Sequence, residues 1–231
     1  MSNIKIEILE DAEDSFRVVT SGKIIATNYY TEILGNFLDN YSFFSSRPSI
    51  QMSSIRMKAA SDGPDVAPTI TTSVLEVIDS KILSVERIPV VIKTQDLVNS
   101  SSVSATFSTS LEKEIDNAAM SSWTNFEAIP LVQSQIGAFC IKIKYNDFLL
   151  DYSQCWGEIR KHNKTVTLRD ITATEVTLQP GQGVTVKLTA LKTIVKAEIL
   201  YCWSNYNTIK NFTEIIQTEF YRNSQVLVED K

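Results

Sequence analysis

The amino-acid sequence predicts a mainly β protein with unusually long strands. Between residues 69 and 115 the chain is rich in β-branched residues, serine and threonine, and it holds almost no glycine. In several stretches apolar and polar side chains alternate with the two-residue period of a strand. Helical spacing of apolar residues occurs in one stretch only, residues 28–44. We therefore expect one short helix in the N-terminal region and strands elsewhere.

Length and composition limit the size and the environment of the protein. Its 231 residues, 43% of them hydrophobic, suffice for one large domain or two small ones with a core. Charges of both signs are interspersed and the net charge is −5, which argues against binding to nucleic acid. The sequence has no run of 18 apolar residues, so no transmembrane helix is predicted. The N-terminal residues lack the features of a secretory signal peptide, which indicates either synthesis without one or a mature form.

The residues available for catalysis and metal binding predict a protein that is not an enzyme. His162 is the one histidine, and the three cysteines form no C-x-x-C motif, which argues against zinc sites and Cys/His nucleophile pairs. The sequence also lacks the glycine-rich loops that bind phosphates or dinucleotides. Asp147 and Asp151 could form an acid/base pair, but we interpret them as solvated carboxylates in a loop. No catalytic residue, metal or cofactor is therefore predicted.

The first 65 residues are predicted to form an N-terminal head. Residues 4–11 and 15–26 alternate like two strands. In residues 28–44 the apolar spacing indicates an amphipathic helix packed on the domain, with Tyr30, Ile33, Leu34, Phe37, Leu38 and Tyr41 on one face. The alternative is an exposed aromatic patch that touches lipid or glycan, formed by Tyr29, Tyr30, Tyr41, Phe43 and Phe44. Two prolines and a glycine within residues 61–68 predict a linker to the next region.

Long strands are predicted after this linker. They are expected, in chain order, at residues 70–77, 89–98, 102–111, 165–178, 184–203 and 211–231. A Pro-Gly turn at residues 179–183 separates two of them. The strand at 102–111 carries only hydroxyl side chains on one face, namely Ser104, Thr106, Ser108 and Ser110.

Residues 121–145 have the pattern of an amphipathic β-hairpin. Its limbs run from Trp123 to Leu131 and from Ile136 to Tyr145, close to the roughly 9–11 residues with which a strand crosses a bilayer. A four-residue connection between the limbs fixes the register, so that Ala128 pairs with Phe139 and Phe126 with Ile141. The apolar faces of the two limbs then coincide.

This register divides the hairpin into an apolar and a polar face. The apolar face, which would contact lipid, consists of Phe126, Ala128, Pro130, Phe139, Ile141, Ile143 and Tyr145. The polar face, which would line a water-filled lumen, consists of Asn125, Glu127, Lys142 and Lys144. The tip is apolar through Ile129, Leu131 and Val132.

Two interpretations of the hairpin remain open on the pattern alone. A lysine that faced lipid at mid-membrane would cost about 2–4 kcal/mol, and the predicted phase avoids this cost. A soluble hairpin that packs its apolar face on a core shows the same alternation. Trp123 does not fit either face, because its phase places it with Asn125.

The order of the elements adds a resemblance to a known family. A Ser/Thr-rich strand, "SVSATFSTSLEKEIDNAAMSSW", precedes the hairpin with its "IPLV" tip, and "NKTVTLRDITATEVTL" follows it. The turn "LQPGQG" then opens into the long strand "VTVKLTALKTIVKAEI". This order, which covers residues 66–200, resembles the aerolysin-like β-pore-forming proteins, the group of the clostridial epsilon toxin and of the mosquitocidal and crystal toxins of bacilli.

The resemblance implies an elongated, mostly antiparallel β protein that is secreted or released in soluble form. It implies a pore-forming domain at residues 66–200, with an insertion hairpin at 121–145, and C-terminal strands at 201–231 that pack back on it. Such a toxin would bind a target-cell membrane through an unknown receptor (glycan, lipid or protein) and form a homo-oligomeric ring. Each subunit would then extrude one hairpin into a shared transmembrane β-barrel. The alternative function is a non-lytic carbohydrate- or lipid-binding defence protein with the same fold.

Overall fold

The computed structural model describes residues 4–11, 15–30, 69–124, 138–146, 148–169, 173–205 and 208–231. Within these ranges the chain forms twelve strands and no helix, so no helix there has the length and apolarity that a bilayer crossing requires. The strands are β1 (Lys5–Glu10), β2 (Phe16–Ser21), β3 (Lys23–Tyr30), β4 (Thr69–Val98), β5 (Ala105–Thr109), β6 (Glu112–Thr124), β7 (Ala138–Tyr145), β8 (Phe148–Cys155), β9 (Lys161–Arg169), β10 (Thr174–Leu178), β11 (Gly183–Ser204) and β12 (Ile209–Asp230).

Six strands form one antiparallel sheet, which we call the long sheet. Their order is β3-β4-β11-β12-β6-β9. Its central strands are unusually long, because β4 has 30 residues and β11 and β12 have 22 each. Every second side chain of β11 is buried from Thr193 to Trp203, as expected for a strand with one covered face. These strands confirm the prediction of an elongated, mainly β fold with long antiparallel strands.

β4 is a single strand where the sequence predicted two, at residues 70–77 and 89–98. It pairs with β11 from Val74 to Val98, although the register shifts at three places. Among the described residues β3 covers the other edge of β4 only from Thr69 to Glu76. Pro89 therefore lies in a part of β4 that β3 does not cover, and strands that are open on one edge tolerate proline.

Two smaller sheets pack on the long sheet and create two cores. A four-stranded sheet, in the order β2-β1-β7-β8, covers one part of it, and the core between them includes Ile6, Ile141 and Ile199. A ribbon of β5 and β10 contributes Leu178 to the second core, which also contains Val186. Most of the apolar burial that stabilises the fold occurs in these two cores.

The N-terminal region differs from its prediction in two respects. The expected strand at residues 15–26 is two strands, β2 and β3, which belong to different sheets. The chain turns between them at Gly22, whose φ of 87° is a conformation that glycine adopts readily. Tyr30, the first apolar residue of the predicted helix, is instead the last residue of strand β3. Tyr29 also lies in β3. The remainder of the predicted helix and aromatic patch, including Tyr41, Phe43 and Phe44, lies outside the described residues.

The predicted division of the chain at residues 65 and 200 stays a prediction. In the structure β3, β4 and β12, one strand from each of the three predicted segments, all belong to the long sheet.

Candidate functional site

β7 carries the second limb of the predicted hairpin, and its two faces differ as the alternation predicts. Phe139, Ile141, Ile143 and Tyr145 are at most 4% exposed and point toward the long sheet. Lys144, on the opposite face, is exposed, and Lys142 is half-buried. We call the contact between the four-stranded sheet and the long sheet the docking interface. The contacts of these four side chains with lipid stay a prediction, because in this structure they contact protein.

The predicted pairing of β7 is wrong for this structure. Both edges of β7 are occupied, because Ile141 pairs with Ile6 of β1 on one side and with Tyr152 of β8 on the other. The predicted partner of Ile141 is thereby excluded in this structure, because a strand has only two edges. The first predicted limb continues β6 as far as Thr124, in the long sheet.

The reason for this error is that alternation fixes the faces of a strand but not its neighbours. Residues 147–151 were predicted to form a loop, but residues from Phe148 onward form β8. A tight turn at Asn146, whose φ is 43°, joins β7 to β8, and asparagine tolerates this left-handed conformation. The other predicted hairpin residues lie outside the described ranges, namely Asn125, Phe126, Glu127, Ala128, Ile129, Pro130, Leu131 and Val132.

An aromatic cluster holds one end of β7 in the docking interface. The ring of Phe139 lies 6.0 Å from that of Trp123, 5.9 Å from that of Trp156 and 5.6 Å from that of Tyr201. The Trp123 indole also donates a hydrogen bond to the main-chain oxygen of Glu158, at 3.0 Å. This placement explains the wrong phase of Trp123, because Trp123 and Phe139 belong to two different sheets that face each other.

The other end of β7 is held by an aromatic stack and a hydrogen bond. The Tyr145 ring stacks on that of Phe220 in β12 at a centroid distance of 3.7 Å. Asn117 of β6 donates its side-chain N–H to the Tyr145 hydroxyl and accepts the main-chain N–H of Tyr221, at 3.0 Å. Asn117 is itself buried, so this bond satisfies polar groups that would otherwise be costly at the interface.

A buried carboxyl group lies in the middle of the docking interface. Glu214 of β12 has no exposed surface. Its Oε1 accepts a hydrogen bond from Gln154 of β8 at 3.0 Å, and its Oε2 accepts a hydrogen bond from the Tyr201 hydroxyl of β11. Ser121 of β6 donates to the Gln154 side-chain oxygen at 3.0 Å. Burial raises the pKa of Glu214 from 4.5 to about 7, against the opposing effect of its hydrogen-bond donors.

A buried ion pair also crosses the docking interface. Arg222 of β12 donates to the carboxylate of Glu10 in β1, and both side chains are 6% exposed. A second ion pair, between Lys142 and Glu7 at 3.6 Å, lies on the outer face of the four-stranded sheet with both partners more than a third exposed. Solvent screens this exposed pair, so it contributes little to stability.

Comparison with known proteins identifies the fold. No model of a protein family matches the sequence. The chain is 23% identical over 190 residues to U-megalopygitoxin(8)-Mc8 of Megalopyge crispata, a match that covers 69% of this chain and 66% of that protein. U-megalopygitoxin(8)-Mo12 of Megalopyge opercularis is 22% identical over 198 residues, with 73% and 67% covered. The chain thus spans about two thirds of the length of these relatives.

Comparison with solved structures gives more information about the fold than these distant sequence matches do. Parasporin-2, a Bacillus thuringiensis toxin that recognises cancer cells, superimposes with a TM-score of 0.59 at 12% sequence identity. The superposition covers 69% of this chain and 74% of parasporin-2. The chain has the aerolysin-like fold. The resemblance inferred from the order of elements is thereby confirmed at the level of the fold.

Glu214 of β12 is a candidate functional residue that was not predicted, although the sequence contains a signal for it. Along β12 the buried phase reads Phe212, Glu214, Ile216, Thr218 and Phe220. From Phe212 to Phe220 this phase is uncharged except for Glu214, and burial of a carboxylate is costly and needs specific partners. Gln154 is the hydrogen-bond donor that the four-stranded sheet supplies to Glu214. It lies in β8, which was not predicted as a strand.

Proposed function

We propose that this protein is a pore-forming toxin that binds a target membrane, assembles into a ring and contributes one β-hairpin per subunit to a transmembrane β-barrel. The observation that carries the proposal is β7. This strand is apolar on one face and carries Lys142 and Lys144 on the other, and its apolar face is held against the protein's own long sheet. The aerolysin-like fold and the two distantly related toxins support the same conclusion.

The physics of the bilayer sets the order of events. A lone hairpin has edge N–H and C=O groups that cannot be paired in hydrocarbon, whereas a closed barrel pairs all of them. Assembly therefore has to precede insertion. Until then the apolar face of β7 has to stay covered, and the docking interface covers it.

In the proposed pore, β7 exchanges its neighbours. It leaves β1 and β8 and pairs with residues 123–131, so that Phe139, Ile141, Ile143 and Tyr145 contact lipid together with Phe126, Ala128 and Pro130. Asn125, Glu127, Lys142 and Lys144 line the lumen, and Ile129, Leu131 and Val132 form the tip. The length of β8 favours this exchange, because it has eight residues and a spanning strand needs roughly 9–11.

The proposed partners are a target-cell membrane, a receptor and further copies of the chain. The receptor is a glycan, a lipid or a protein at the cell surface, and Tyr29, Tyr30, Tyr41, Phe43 and Phe44 are the proposed contacts. The protein would be released in soluble form before it reaches this membrane, and neither a cofactor nor a metal is needed.

Leakage measurements test the proposed function. We expect the protein to release dye from erythrocyte ghosts or from vesicles of phosphatidylcholine and cholesterol, and to form oligomers on them that resist SDS. Attachment without leakage and without such oligomers would favour the non-lytic carbohydrate- or lipid-binding function instead. Absence of both attachment and leakage on every membrane would contradict both functions.

A designed disulfide between β7 and β8 tests the proposed exchange of neighbours. Ser153 of β8 lies opposite the native Cys140 of β7, so Ser153→Cys places two thiols within the Cα separation of about 4.4–6.8 Å that a disulfide requires. With Cys155 and Cys202 replaced by serine, we expect the oxidised variant to lose at least nine tenths of its leakage and to recover it on reduction. Normal leakage from the oxidised variant would mean that β7 and β8 insert together, and that the hairpin at 121–145 is assigned wrongly.

A further inference from the structure

We propose that Glu214 is a pH-sensitive switch for the release of β7. Ionisation of its carboxyl group weakens the docking interface, so that the four-stranded sheet separates from the long sheet more readily above neutral pH than below it. The role of this separation in insertion rests on the proposed function, whereas the separation itself is a property of the soluble protein.

The position of Glu214 makes its charge matter. It lies on the long sheet, but its hydrogen-bond partner Gln154 belongs to the four-stranded sheet. The Tyr152 hydroxyl of β8 is buried nearby without a hydrogen-bond partner among the described residues. A carboxylate formed here loses its hydration, and the hydrogen-bond partners that the described residues give it, among them Gln154 and Tyr201, are neutral. Separation of the sheets would return it to water.

The direction of the pH effect follows from the two protonation equilibria. In the docked state the pKa of Glu214 is about 7, and in a water-exposed state it returns toward its ordinary value of 4.5. The docked state therefore binds more protons than the released state between these two values, and its stability falls as the pH rises through this range. The stabilisation is fully present below about pH 4.5 and is lost once the pH has passed about 7.

The other titratable groups around Glu214 do not reproduce this effect. Burial raises the pKa of Tyr201 and of Tyr152 above their usual range, so both remain neutral near pH 7. Burial and Arg160 lower the pKa of His162, which stacks on Tyr152, although Glu158 opposes the shift. A lowered histidine pKa has the opposite consequence, because the docked state then loses stability as the pH falls.

Two buried alanines allow opening of the docking interface to be measured without a membrane. Ala119 lies in the core beneath the four-stranded sheet, and Ala190 lies in the second core. Cysteine is small enough to replace either of them. We would place Ala119→Cys or Ala190→Cys in the full-length chain with its three native cysteines changed to serine. The labelling rate with dithiodipyridine would be measured at pH 5 and pH 8, with Glu214 and with Glu214→Gln.

Glutamine keeps the shape of the side chain and stays neutral at both pH values. The ratio of the Glu214 rate to the Glu214→Gln rate cancels the intrinsic pH dependence of the thiol. For Ala119→Cys we expect a ratio of about four at pH 5, where a released carboxyl is already largely ionised, and of about a hundred or more at pH 8. For Ala190→Cys we expect a ratio near one at both.

Equal ratios at the two pH values, or the same rise at Ala190, would overturn the proposal. Should Glu214→Gln fail to fold, the Ala119→Cys rate can be divided by that of the exposed Ser122→Cys, and a quotient that does not rise from pH 5 to pH 8 has the same meaning. Because no membrane is present, a negative result here leaves the proposed pore formation standing, and absence of leakage leaves this proposal standing.

Discussion

Replacement of Phe139 by aspartate is expected to destroy the native packing of the docking interface rather than only to alter its contact with lipid. The Phe139 side chain is fully buried, and it contacts Trp123, Trp156 and Tyr201. Loss of a buried phenylalanine typically costs about 3–5 kcal/mol, and an unpaired carboxylate in an apolar site adds to this cost. The sum is comparable with the whole stability of a typical domain, about 5–15 kcal/mol.

Urea denaturation followed by tryptophan fluorescence measures this effect. We expect Phe139→Asp to lack a native-like transition, whereas the control Lys144→Asp, on the exposed face of the same strand, should keep its midpoint nearly unchanged. A native midpoint for Phe139→Asp would mean that β7 is not docked as described. The result also has a practical consequence, because loss of leakage from an aspartate at this position cannot be attributed to lipid contact.

Removal of the buried arginine is expected to have the second large effect. Arg222 and Glu10 are almost completely buried, and they connect β12 to β1 across the docking interface. Replacing Arg222 by methionine leaves the Glu10 carboxylate without this guanidinium, and such changes typically cost about 3–5 kcal/mol. The cost arises mainly from the charge left behind, so a second change, Glu10→Leu, should recover much of the loss.

Thermal or urea unfolding of the three variants tests this explanation. A matched control is Arg17→Met, because Arg17 pairs with Asp11 at 2.7 Å with both side chains exposed by 41% or more. Exposed pairs contribute about 0–1 kcal/mol, so this control should unfold almost like the native protein. If Arg222→Met were as stable as Arg17→Met, or if the double variant were no more stable than Arg222→Met, the ion pair would not act as described.

The sequence contained enough information to predict the faces of the strands. The two-residue period placed Phe139, Ile141, Ile143 and Tyr145 on one side of β7, and the structure buries all four. It also predicted the long β11, because its apolar phase is nearly unbroken. Such predictions depend only on local geometry, since side chains of a strand alternate between its two faces.

The neighbours of the strands could not be predicted in the same way. β7 pairs with β1, which lies more than 120 residues earlier in the chain, and this parallel pairing has no local signature. β8 was missed because its inward phase contains polar Gln154 and its outward phase contains Leu149, so the alternation is weak. The Glu10–Arg222 pair depends on the same long-range arrangement. Glu214 is different, because it interrupts an otherwise uncharged buried phase of β12 between Phe212 and Phe220.

The proposed pore requires that β7 leaves the four-stranded sheet. Lys5 of β1 lies opposite the native Cys140 of β7, and both are on the outer face of the sheet. Lys5→Cys, with Cys155 and Cys202 replaced by serine, should therefore form a disulfide that joins β7 to β1 without disturbing the core.

Dye release by this variant before and after reduction shows whether β7 has to separate from β1, and Lys5→Ser in the same background is the control. We predict that the oxidised protein still attaches to membranes, releases less than a tenth of the dye released by the control, and regains full activity with dithiothreitol. Equal release by the oxidised and the reduced protein, with the disulfide confirmed by mass spectrometry, would mean that the pore forms without separation of β7 from β1.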